Sequence, residues 1–141
     1  MRLLSLAALC LTLPTLAVAQ TFKAENRLNV VPLNANDFEV IEARGEGARG
    51  MWCAAADYAQ ARLPRGDGRL YIKRARSAAL TASGRKGVVF TNAPATLAAP
   101  ASTSLSVSVR QVGRSLPIAH AYRFCRDNDD DRDDLLFRLT R

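Results

Sequence analysis

Gly45, Gly47 and Gly50 stand in the spacing G-x-G-x-x-G, after a strand-like stretch and before a helix-like one. Glycines so placed let backbone amides approach a phosphate at a helix N-terminus. A dinucleotide site would also need an acid for the ribose, yet the following strand ends in Lys73, Arg74 and Arg76. The chain is short and lacks repeated βαβ units, so a nucleotide fold is not expected. What remains is a modest anion site built from Gly47, Gly50, Arg44 and Arg49, with Arg74 and Arg76 extending the positive face.

Other chemistry-bearing residues form incomplete sets. Ser83 and Lys86 have S-x-x-K spacing but sit in a glycine-bounded loop, without the partner motifs of acyl-transfer enzymes. His120 is the only histidine, and the sequence places neither a nucleophile nor an orienting carboxylate beside it. Asp127, Asp129 and Asp131 alternate in the acidic run 127–134, as in a calcium loop. Arg132 replaces the glycine of an EF-hand at position six and Arg138 replaces its bidentate glutamate, so only a weak Ca²⁺ site is expected.

Cys53 and Cys125 read as one disulfide if the chain is exported. Residues 1–19 give that expectation its basis. Arg2 precedes the apolar run Leu3–Leu13, Pro14 breaks it, and Ala17-Val18-Ala19 is a small-residue cleavage signature. Cys10 lies within that run behind the bulky Leu9, which argues against lipidation. Cleavage leaves residues 20–141, a single domain able to bury a core. No later stretch reaches spanning length, so no stable membrane insertion is expected after cleavage.

The whole chain carries 20 basic and 13 acidic residues, a net charge of +7. The acids concentrate near the C-terminus, which leaves the rest more basic still. Outside the cytoplasm such charge suits an anionic envelope component or another protein. Nucleic acid is not expected, because the arginines lack interleaved aromatics apart from Tyr71. No cofactor is implied.

The elements that position these residues follow from periodicity. Trp52, Ala55, Ala56, Ala59 and Leu63 share one helical face, introduced by Gly50 and stopped by Pro64. Strands are expected over 27–31, 38–43, 69–74 and 88–91. The alternation Ser104 to Val109 predicts a strand with one wet face, forming a hairpin with a strand over 118–125. Residues 92–103 read as an exposed loop, and 135–139 as a last short strand or helical turn. The expected fold is α+β: one mostly antiparallel sheet of five or six strands with a single helix packed on it. The expected function is a small, exported, non-catalytic binding or structural protein of a bacterial envelope, in the periplasm or the medium. The alternatives are an inhibitor of a secreted enzyme and a small hydrolase using His120.

Overall fold

A computed structural model describes residues 20–64 and 68–127. The expected leader 1–19, Asp129, Asp131 and the expected element over 135–139 lie outside the described residues.

Six strands form one sheet: β1 (Phe22–Lys23), β2 (Asn29–Pro32), β3 (Asp37–Ile41), β4 (Arg69–Ala78), β5 (Lys86–Thr91) and β6 (Ser115–Pro117). Their order is β1-β2-β3-β5-β4-β6, with every neighbouring pair antiparallel. Helix α1 (Gly47–Arg62) carries the chain from β3 to β4, and β5 then fills the space between them. The α+β expectation and the antiparallel sheet are therefore both met.

Register sorts the strand residues into two faces. Val30, Val40 and Val88 lie abreast, as do Phe38, Phe90 and Ile72, with Leu70 opposite Leu116. All eight are fully buried and form the inner face. Helix α1 lies on it through aromatic contacts. Trp52 meets Phe90 edge-on at 4.9 Å, and Tyr58 meets Phe38 at 4.5 Å. Ala54, Ala55, Ala56 and Ala59 are buried too, so short side chains let the helix backbone approach the sheet closely.

The single-helix expectation is corrected. Residues 118–127 form a second helix, α2, where a strand was expected over 118–125. Ile118, Ala121, Tyr122 and Cys125 are spaced i, i+3, i+4 and i+7, a helical period that the β-favouring aromatic types obscure. Ala121 and Cys125 are buried, and Ile118 and Tyr122 pack against the core. Cys125 bonds Cys53 with a Cα–Cα distance of 5.0 Å across 72 residues of sequence. The expected disulfide is present, and it joins two helices rather than a helix and a strand.

Ser104 to Val109 joins no strand ladder, so the expected hairpin is also corrected. The hydroxyls of Ser102, Ser104, Ser106 and Ser108 each accept the N–H two residues onward, at 3.3–3.4 Å. Alternate serines thus supply the backbone with local acceptors that compete with a partner strand. This extended segment instead serves α1 and β4. The Val107 carbonyl accepts the Trp52 indole N–H at 2.9 Å, and the Val109 carbonyl accepts the Arg76 N–H at 2.8 Å.

The disulfide is expected to contribute about 2–5 kcal/mol. Cys53→Ser should lower the unfolding free energy by that amount in a denaturant titration. Native alkylation of the oxidised protein should find neither thiol free.

Candidate functional site

The outer face of the sheet does not follow the usual wet pattern. Asp37, Glu39, Thr91 and Ser115 lie on it, and all are buried. Glu39 is 1% exposed, because the turn between β4 and β5 folds over it. That turn supplies three donors. Leu80 N–H reaches Glu39 Oε1 at 2.7 Å, while Thr81 N–H and Thr81 Oγ1 reach Oε2 at 2.9 and 2.6 Å. Gly87 provides the room. A Cβ there would stand 2.7 Å from Glu39 Oε1, closer than side chains tolerate. A buried carboxylate therefore anchors the turn to the sheet.

Asp37 pairs with Lys73 at 2.5 Å and accepts from Asn34 at 2.9 Å. Burial alone raises its carboxyl pKa. The hydrogen bonds from Lys73 and Asn34, the Thr91 hydroxyl beside it and the Lys73 charge outweigh burial and hold it below the ordinary value. Arg76 grips Glu42 with two nitrogens, at 2.8 and 3.1 Å. These acids are thus occupied within the fold.

The anchored turn walls a groove of about 480 Å³ on the outer face. Lys23, Asn29 and Ile41 lie abreast on β1, β2 and β3 and, with Val31, form its floor. Thr81, Ala82 and Arg85 contribute from the turn, and Thr21, Arg27, Ala43 and Arg44 complete the lining. Four of these residues are cations and none is an acid. Lys23, Arg27 and Arg44 form no ion pair among the described residues, and the Arg85 guanidinium donates to the Glu42 carbonyl.

Two tight turns hold the arginines. Arg27 has φ 66° and Arg44 has φ 61°, the only non-glycine residues with positive φ among those described. Holding a side-chain-bearing residue there costs about 1 kcal/mol or more. Arg27 closes the β1–β2 turn through its N–H to the Ala24 carbonyl. The buried Asn26 ties that turn to α1 by donating to the Gly50 carbonyl at 2.8 Å. Arg44 and Gly45 have successive positive φ angles in the turn that Glu46 N–H closes on Ala43.

The six residues expected to bind an anion are dispersed. Arg44 lines the groove. Gly47 and Arg76 line a smaller cavity of about 250 Å³ beside Met51 and Val109. Gly50 is buried, and a Cβ on it would stand 2.4 Å from the Glu46 Cβ and 3.3 Å from the Asn26 amide, so this glycine admits the Glu46 side chain first and the β1–β2 turn second. Arg49 lies over the Phe124 ring at 5.2 Å, and Arg74 is half-buried on the irregular part of β4. Lys23 and Arg27 were not singled out by spacing. Their joint signal is weak in sequence, since three strands must pair before they meet Arg44.

Ser83 and Lys86 flank the exposed β4–β5 turn. His120 stands edge-on to Phe124 at 5.5 Å, with no hydrogen bond to a described carboxylate or hydroxyl. Asp127 is exposed at the described end of α2. Among the described residues no three His, Cys, Asp or Glu side chains gather closely enough to hold a metal, and no helix is long and apolar enough to cross a membrane.

Glu39→Gln should turn an amide donor against N–H donors and cost about 1–3 kcal/mol. Hydrogen exchange should show lost protection at Leu80 and Thr81. For Asp37 the sign follows from its lowered pKa. Its contribution is present above the unfolded value near 3.8 and is lost as pH falls through the lower folded value. Asp37→Asn should therefore destabilise the protein at neutral pH, and the gap should narrow below pH 4 in parallel melts. Compared with known proteins, the chain matches no family model, no curated protein and no solved structure.

Proposed function

We propose that this protein is an exported, non-catalytic binding protein whose anionic ligand sits in the outer-face groove. The carrying observation is that Lys23, Arg27, Arg44 and Arg85 line one cavity with no acid among its lining residues. A folded protein usually tempers such clustering by placing carboxylates nearby. Here Asp37 and Glu42 are paired with Lys73 and Arg76, and Glu39 lies behind the Thr81 wall with its oxygens turned to that turn's donors. Export is supported by the leader composition of residues 1–19 and by a disulfide that favours an oxidising compartment. An anionic envelope component is the partner that fits this setting. The hydrolase alternative gains no support from His120, whose described ring contact is Phe124.

Single exposed ion pairs contribute little, about 0.2–1 kcal/mol each, so affinity must come from several cations acting together. Calorimetric titration with inorganic phosphate, citrate and a sulfated disaccharide at low salt tests this. At least one should bind, and binding should weaken as salt shortens the screening length. Arg27→Ser with Arg44→Ser should reduce affinity about tenfold, the sum of two such interactions. Arg49→Ser with Arg74→Ser, outside the groove, should leave it within about twofold. Equal loss in both double variants would remove the groove from the argument.

A further inference from the structure

We propose that the groove's ligand is an organic phosphomonoester, an inference that rests on the anion-binding reading above. Three of the four groove cations are arginines, whose planar forks match the edges of a phosphoryl group. A carboxylate or a sulfate ester brings one negative charge. A phosphomonoester brings about 1.5–2 charges and three terminal oxygens on one centre. Among these groups it best neutralises four cations around a cavity of about 480 Å³.

The rest of the lining says that the phosphate carries carbon. Val31, Ile41, Ala43 and Ala82 give the groove an apolar part that a bare inorganic ion would leave without contacts. Leu80, next to the lining residue Thr81, is 58% exposed and adds apolar surface on the anchored turn. Arg27 and Arg44 both hold left-handed backbone conformations, a local cost incurred at two residues of the same cavity. Glu39, through Thr81 and Leu80, is the positioning residue for the wall that faces them.

A phosphomonoester of this kind comes from two sources, a soluble metabolite or the headgroup of a lipid. The test uses the full mature chain and separates them. Glycerol 3-phosphate, methyl sulfate and succinate are titrated by calorimetry. Vesicles carrying phosphatidic acid are compared by co-sedimentation with phosphatidylglycerol vesicles of equal charge. The groove lining contains no histidine and no carboxylate, but the α-amino group of Gln20 adjoins the lining residue Thr21, so a change across pH 6 that methyl sulfate does not share reports the ligand's own second ionisation.

The expected result is glycerol 3-phosphate binding about tenfold tighter than methyl sulfate or succinate, and gaining affinity as pH rises through 6. Arg27→Ser with Arg44→Ser should abolish that preference while the circular dichroism spectrum is unchanged. A lipid source is supported instead if phosphatidic acid vesicles bind in preference to phosphatidylglycerol vesicles while glycerol 3-phosphate does not. Leu80→Ser should then weaken the vesicle binding. Methyl sulfate or succinate binding as tightly as the phosphomonoester, or a flat pH profile, would overturn the phosphate assignment and leave the anion groove standing. No binding of any of these anions, soluble or in vesicles, would overturn both.

Discussion

Helix α1 must be buried on more than one side, and most of the architecture answers that demand. Six consecutive residues, Met51 to Ala56, are buried. A helix packed only on a sheet hides a stripe, so a continuous buried run needs a second cover. The sheet takes Trp52 and Tyr58. Helix α2 takes Cys53 through the disulfide, and the serine-rich segment takes the Trp52 indole N–H. Burying a large apolar side chain contributes about 1.5–3 kcal/mol. The aromatic set of Trp52, Tyr58, Phe38 and Phe90 is therefore the energetic centre, and the disulfide restrains the cover that completes it.

The outer face works by a different balance. One face of an antiparallel sheet is commonly solvated, and here it buries carboxylates. Glu39 is satisfied by two backbone donors and a hydroxyl, whereas Asp37 receives an ammonium and an amide on Oδ2 alone, its buried Oδ1 having no such partner among the described residues. A buried polar group is tolerable when its partners are present and costly when they are not. The carboxylates thus act as anchors, Glu39 for the β4–β5 turn and Asp37 for the β2–β3 turn. Neither carboxylate lines the groove, whose four cations have no acid among the residues around them.

Arg27 and Arg44 show how local strain and location coincide. Glycine would relieve the backbone at either site, yet both positions carry long cationic side chains toward the same cavity lining. The supporting contacts are strong enough to hold them. Asn26 fixes the first turn to Gly50, and the Ala43–Glu46 bond closes the second. Gly50, read in sequence as part of a modest anion site, is instead a packing glycine that makes room for Glu46 and Asn26.

Periodicity and residue type were enough to establish the α+β class, helix α1, four of the strands and the pairing of Cys53 with Cys125. These depend on local patterns: apolar spacing, Pro64 beyond the C-terminal end of α1, and an isolated cysteine pair; Gly50, expected to introduce the helix, lies inside it, because α1 begins at Gly47. The sequence also contained the period of α2, but Tyr122, Phe124 and His120 suit a strand equally, and only packing against α1 chose the helix. The serine alternation over 104–109 matched a strand as well. The choice between a ladder and local Oγ acceptors was made by what lay beside it. The groove was the least legible feature. Lys23, Arg27, Arg44 and Arg85 are spread over 63 positions of sequence, and no spacing rule links them. They meet because β1, β2 and β3 pair in one register and because Glu39, an outward residue by alternation, draws the β4–β5 turn down over that face. Sequence patterns report contacts within a turn or a strand, whereas a site assembled from four separate segments is decided by long-range pairing.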